Sequence, residues 1–255
     1  MGLQPDKLQL KPRRTPMDQV TADALKVTAE AGIDIDFVKG STKYRDWIAS
    51  IDTTKFVVNK VHLQSVDVFN KPDGSRVMGF IKLVADITDT NGKRLPGIVF
   101  MRGGAVGMLV VLNKNYAVLT VQPRLATGDF QFVELPAGML DGSGNFAGVA
   151  AKEIEEELGM KIAAADLKEL GCAIEGNRGI FLSPGGSDET MRLFYHEAQV
   201  SDEDLAAIQG RCTGLLDEGE QITLKVVPLD DLWTVADAKT IISVALYKQL
   251  TSTAV

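Results

Sequence analysis

Residues 138–160 read GMLDGSGNFAGVAAKEIEEELGM, a glycine-rich turn followed by a helix-compatible run crowded with glutamate. Glu153, Glu156 and Glu157 recur at i, i+3 and i+4, so one helical face presents three carboxylates together. Leu158-Gly159-Met160 puts glycine where a left-handed cap ends a helix. Just upstream, Phe130 to Leu135 reads as a strand, and Pro136-Ala137-Gly138 turns the chain out of it. Standing alone, an acidic run is a solvated face. Behind a strand and a glycine turn, it forms a hard-oxygen cage suited to Mg²⁺ or Mn²⁺. Such cations bind and activate phosphate esters.

Counted from Gly138, the spacing resembles the Nudix box. That motif runs glycine, five residues, glutamate, seven residues, then Arg-Glu-hydrophobic-x-Glu-Glu-x-Gly-hydrophobic. Glu153, Ile154, Glu156, Glu157, Gly159 and Met160 fall on it; Gly144 replaces the early glutamate and Lys152 the arginine. Lysine keeps the charge but loses the planar fork that holds a carboxylate bidentately. The flanks, from about Lys55 to Leu250, resemble the ADP-sugar and ADP-ribose pyrophosphatase branch, and within it the plant ADP-sugar diphosphatase type. The segments concerned are Pro96 to Gly103, Val121-Gln122-Pro123-Arg124, Glu134 to Gly138, and Ser183-Pro184-Gly185-Gly186. An insertion around Gly176-Asn177-Arg178-Gly179 is shared with the plant type.

The resemblance implies an α+β fold, a Nudix α/β/α sandwich with an N-terminal β-rich dimerisation region, and a homodimer. With the change of pattern near Gly103, the chain divides into a partly disordered leader (1–40) that the resemblance does not cover, the dimerisation region (41–102) and the hydrolase domain (103–255). The resemblance implies Glu153 and Glu157 as metal ligands with the backbone carbonyl of Ala137, and Glu156 as a ligand or a partner of one. Glu218, on a loop before a strand, becomes the catalytic base and Glu220 a further metal contact, with Asp217 as the stand-in. Near two cations a modest base suffices, and a loop lets it arrive after the substrate. Arg102 and Arg124 are read as diphosphate clamps, because guanidinium forks match phosphate oxygens. Ser183 and Gly185 would approach the distal sugar, with Glu189 accepting one of its hydroxyls. Lys152 would brace a box glutamate. The expected substrate is a nucleoside diphosphate sugar, ADP-glucose or ADP-ribose, cleaved to AMP and a sugar phosphate with Mg²⁺. A catalytically silent nucleotide- or protein-binding module, or a hydrolase of another nucleoside diphosphate derivative, is the alternative.

The rest of the chain sets bounds. At 255 residues it fits one large domain or two small ones. The net charge of −7 argues against nucleic acid as a standing partner. No apolar run reaches the roughly 18 residues that a membrane span needs. Cys172 and Cys212 are far apart in sequence and suggest neither a zinc cage nor a disulfide framework, which fits a reducing, cytoplasmic compartment. The basic, acid-poor start Met1 to Met17 reads as a disordered leader, with an organelle address as the other reading. His62 and His196 sit on apolar strand stretches and are not expected as ligands, and Trp47 and Trp233 are expected to pack.

Periodicity predicts helices over Val20 to Ala31 and Tyr44 to Ile51, then strands at Phe56 to Val58, Val61 to Val68, Val77 to Ile87 and Pro96 to Met101. Val106 to Leu112 and Tyr116 to Val121 form a hairpin around Asn113-Lys114-Asn115. Strands recur at Met191 to Val200 and Gln221 to Val227. Helices are expected at Asp202 to Gln209 and Ala236 to Leu250, the last with Ile241, Ala245 and Leu246 on its buried face.

Overall fold

The computed structural model describes residue 17 and residues 24–71, 74–140, 145–171, 179–214 and 221–252. Gly144, Asp217, Glu218, Glu220, most of the insertion and, of the leader, residues 1–16 and 18–23 lie outside the described residues. The chain divides into two compact units: Met1–Gly103 with Ser183–Glu189, and Gly104–Leu182 with Thr190–Val255.

The first unit holds a sheet ordered β1 (Lys26–Ala29), β2 (Phe56–Asn70), β3 (Arg76–Asp89), β4 (Ile98–Met101). β1 runs parallel to β2, whereas the β2–β3 and β3–β4 pairs are antiparallel. Helices α1 (Ile35–Gly40) and α2 (Thr42–Ser50) start on Asp34 and Ser41, whose side chains accept from the backbone amides of Phe37 and Tyr44. Val38, Tyr44 and Ile48 pack with Val61, Leu63, Ile81 and Leu83 into one core. Two expectations are corrected here. The helix over Val20 to Ala31 is replaced, in its described part, by β1, where pairing with Lys60 to Leu63 overrides a short and ambiguous local pattern. The two strands expected over Phe56 to Val68 are one, because a register shift between Val58 and Lys60 accommodates Asn59 without ending the ladder.

The second unit is a sheet flanked by helices. Its order is β10 (Ile180–Phe181), β11 (Thr190–Ala198), β5 (Gly104–Leu112), β6 (Tyr116–Arg124), β13 (Ile222–Pro228), β12 (Cys212–Thr213). β7 (Asp129–Glu134) pairs with β6, β8 (Ala137–Met139) with β5, and β9 (Lys168–Glu169) with β11, so the turn expected at Ala137-Gly138 is corrected to a strand, drawn out by its antiparallel partner Ala105 to Gly107. β5 and β11 run parallel and the other pairs antiparallel. β5 is buried on both faces, which is why it reads as a continuous apolar run. Val106, Met108, Val110 and Leu112 join Ala150, Ile154 and Leu158 of α3 (Phe146–Leu158). Leu109 and Val111 join Leu229, Leu232, Val244 and Tyr247 on the other side, under α5 (Ala238–Ser252). The short α4 (Asp202–Ile208) packs through Ile208 into the α3 side. This is the expected α/β/α sandwich.

The face of α5 is a correction. Its buried residues are Thr240, Ser243, Val244 and Tyr247, whereas Ile241 and Ala245 are exposed. Small hydroxyl side chains let the helix lie close to its neighbours, and an apolarity pattern passes over them.

Candidate active site

Helix α3 is defined at both ends. Asn145 Oδ1 accepts from the Gly148 amide at 3.0 Å and opens it. Gly159, at φ 61°, closes it as the sequence predicts, with its amide bonded to Glu155 O at 3.0 Å. Two of the last carbonyls find partners that the sequence did not reveal. The Arg211 guanidinium donates to Leu158 O, and Thr213 Oγ1 donates to Glu157 O at 2.5 Å. The helix end is thereby tied to the edge of the sheet.

With α3 fixed, Ile154 and Leu158 bury and the adjoining face turns Glu153 and Glu157 towards β8. Glu157 is only 6% exposed, and its Oε2 accepts the Ala137 amide at 3.1 Å. The Glu153 carboxylate lies against Gly138, where an added Cβ would sit 1.8 Å from Oε1. The two carboxylates therefore meet on the Ala137–Gly138 backbone. At i and i+4 they stand about 40° apart around the helix, whereas Glu156 lies about 60° to the other side of Glu153. Glu156 pairs with Lys152 at 3.1 Å instead, which is the bracing role expected of that lysine. No three His, Cys, Asp or Glu side chains among the described residues gather as a metal cluster. The site as described is two carboxylates and a strip of backbone.

Arg124 stands at the end of β6 and is held by Glu134 of β7, Nε to Oε1 at 2.5 Å. The other oxygen of Glu134 takes Lys239 Nζ at 2.8 Å, and Lys239 also meets Asp237 Oδ1 at 3.0 Å. Asp237 Oδ2 in turn accepts the amides of Leu135 (3.0 Å) and Thr240 (3.2 Å) and the Thr240 hydroxyl (2.8 Å). Burial works to lower the Lys239 pKa, but Asp237 and Glu134 together outweigh it and hold the ammonium above its ordinary value. Sequence reasoning found Arg124 and missed Glu134, Asp237 and Lys239. The one local signal was a carboxylate, Glu134, inside an otherwise apolar strand end.

Within the first unit, Ser183–Glu189 lies along β4. The Phe100 amide donates to Gly186 O at 2.8 Å, and Asp188 Oδ1 accepts the amides of Arg102 (2.7 Å) and Gly103 (3.1 Å). Arg102 Nε and Glu189 Oε1 form an ion pair at 2.8 Å, with the guanidinium over the Phe80 ring. The residues read as binding substrate, Arg102, Ser183, Gly185 and Glu189, are thus neighbours. The amides of Gly186 and Ser187 are spent on Ser183 O inside the turn, at 3.2 and 3.0 Å. Burial and the Arg102 charge lower the pKa of Lys43 beside them, against the pull of Asp188.

The remaining residues singled out take ordinary places. His62 sits between Thr28 Oγ1 (3.0 Å) and Glu30 Oε1 (3.1 Å), and His196 lies 3.4 Å from Asp166 O. Trp47 packs against Tyr44, whereas Trp233 is exposed against expectation.

Comparison with known proteins bears on this geometry. The family model described as the NUDIX domain matches residues 101–248. "Nudix hydrolase 14, chloroplastic" of Arabidopsis thaliana is 40% identical over 240 residues, covering 87% of this chain and 76% of that protein. "ADP-ribose pyrophosphatase" of Bacillus subtilis is 26% identical over 156 residues, covering 61% of this chain and 75% of that one. The solved structure of an "ADP compounds hydrolase" matches in fold, with a TM-score of 0.51, 16% identity, and coverage of 77% of this chain and 97% of that one. With the box helix, the strand it packs on and the sandwich in place, the chain belongs to the Nudix hydrolase family.

Proposed function

We propose that this Nudix hydrolase cleaves the diphosphate bond of an ADP-sugar, ADP-glucose or ADP-ribose, to AMP and a sugar phosphate, with Mg²⁺ or Mn²⁺. The observation that carries the reading is the meeting of Glu153 and Glu157 on the Ala137–Gly138 backbone. Two like charges held this close, one of them buried, favour a cation between them. The donors are all oxygen, and Mg²⁺ is commonly held by one or two carboxylates with substrate phosphates completing its shell. A bound divalent cation supplies neutralisation of the charge that grows on the phosphate oxygens. Ala137 O would complete the set, Glu156 would support it from beside Lys152, and Glu220 would extend it from outside the described residues.

In this reading water attacks one phosphorus and the bridging oxygen leaves with the other phosphate. Glu218 takes the proton of the attacking water, an assignment that rests on the family pattern. Arg124, presented beside Glu134, holds the diphosphate in line. Arg102 and Glu189 would receive polar groups of the substrate, with Ser183 and the Gly185 amide beside them.

Two finer assignments belong to the same reading. We take residues 41–102 as a dimerisation region and 103–255 as the hydrolase domain. The exposed Phe56, Val57, Phe69, Val77, Ile98 and Phe100 of the first unit's sheet support a homodimer. No helix among the described residues is long and apolar enough to cross a membrane. The cytoplasm is the location we assign, with the organelle named for the Arabidopsis relative as the alternative.

The test is a panel of nucleotide sugars with Mg²⁺ or Mn²⁺, read by chromatography, with Glu157→Gln alongside. AMP from ADP-glucose or ADP-ribose, abolished in the variant, is the expected result. No turnover of any member would leave a silent nucleotide-binding module as the better reading.

A further inference from the structure

Asp237 and Lys239, which pair with Glu134 at the start of α5, play no part in the chemistry set out above. Their side chains are nonetheless the deepest ion pairs among the described residues: Glu134 is 4% exposed, Asp237 6% and Lys239 12%. Taking two carboxylates and an ammonium out of water is costly. Apolar side chains of similar volume would join the same elements with no such cost. Stability is therefore a poor reason for having them here.

Their arrangement has a direction. Each oxygen of Glu134 takes one cation, Oε1 the Arg124 Nε and Oε2 the Lys239 Nζ. Asp237 holds Lys239 from its other side and also fixes the amide of Leu135, two residues before Ala137. Arg124 is gripped at Nε, the nitrogen nearest its stem, and 40% of its side chain is exposed. The four charges balance. Without the ammonium, Glu134 would have the arginine as its one cation and compete with any phosphate for it.

We propose that Lys239, locked in place by Asp237, is a positioning residue that balances Glu134 so that one carboxylate oxygen sets the Arg124 guanidinium to receive a diphosphate. The same link ties the arginine to the strand end that delivers Ala137 and Gly138. The proposal rests on reading Arg124 as a diphosphate-binding residue.

Calorimetric titration with ADP-ribose in EDTA separates binding from turnover, and kcat and KM with Mg²⁺ complete the comparison. Lys239→Gln keeps hydrogen-bonding groups at the site but removes the charge. It is expected to weaken ADP-ribose binding about tenfold, the scale of one charge-assisted hydrogen bond. KM rises with it, while kcat stays within about threefold. In an Arg124→Ala background the same exchange should change nothing further, because its effect passes through the arginine. Weakening by the same factor in that background, or unchanged binding in Lys239→Gln alone, overturns the proposal. If Lys239→Gln does not fold, Lys239→Arg, which retains the charge, should bind within about twofold of wild type, and a tenfold loss there also overturns it. Inorganic pyrophosphate serves as a second probe. Wild-type protein that binds pyrophosphate but not ADP-ribose defeats the substrate reading and leaves the cycle to be run with pyrophosphate. Binding of neither removes the clamp and the proposal with it.

Discussion

At Gly138 the requirement for one residue type is geometric. A methyl group there would overlap Glu153, 1.8 Å from Oε1 and 1.9 Å from the carboxyl carbon. The atoms it meets belong to the free end of a flexible side chain, so the clash is relieved by driving the carboxylate away and not by unfolding the strand. Gly138→Ala should therefore separate stability from function. The melting temperature should stay close to wild type, while kcat/KM falls about a hundredfold, as expected when a reacting group is displaced by an ångström. Calorimetry and steady-state kinetics on one preparation test both halves. Full activity in the alanine variant would mean that Glu153 is not needed where the structure puts it.

Elements whose logic is local were legible in the sequence. Helix α3 follows from spacing alone, because the Asn145 and Gly159 contacts that open and close it lie within a few residues. Elements decided by distant partners were not. β1 forms because Lys60 to Leu63 offers it a parallel edge, and the continuity of β2 depends on β3 accepting a bulge. The buried face of α5 is chosen by what it packs on, and its key hydroxyls carry no apolar signal. The candidate site divides in the same way. Glu153, Glu157 and Arg124 could be found from motifs, whereas Lys239 meets Glu134 across 105 positions and Asp237 meets Leu135 across 102. No periodicity carries information over that span.

For the whole molecule, the exposed apolar residues of the first unit's sheet predict a particle of twice 27.5 kDa, and a light-scattering mass of one chain would remove the dimer. Alkaline titration reaches both units. Burial pushes the Tyr44 hydroxyl up to about 12 from 10.0, and burial with the Glu197 carboxylate beside it raises Tyr247 further. Lys239 is held above 10.5 by its two carboxylates. Each of these groups binds its proton more tightly folded than unfolded. Their contribution is complete below the unfolded values and is lost as pH rises through the folded ones. Lys43 acts in the opposite sense, since burial lowers its pKa and deprotonation relieves a penalty, so it offsets part of the loss. Melting temperature should thus hold until pH nears 10.0 and fall from there towards about 12. Tyr44→Phe isolates one component. Its hydroxyl is buried with no hydrogen-bond partner among the described residues, so the exchange should shift neutral-pH stability by no more than about 1 kcal/mol. Above pH 10.0 the variant should lose stability less steeply than wild type. Parallel alkaline declines in the two proteins would show that Tyr44 ionises as freely in the folded chain as in the unfolded one.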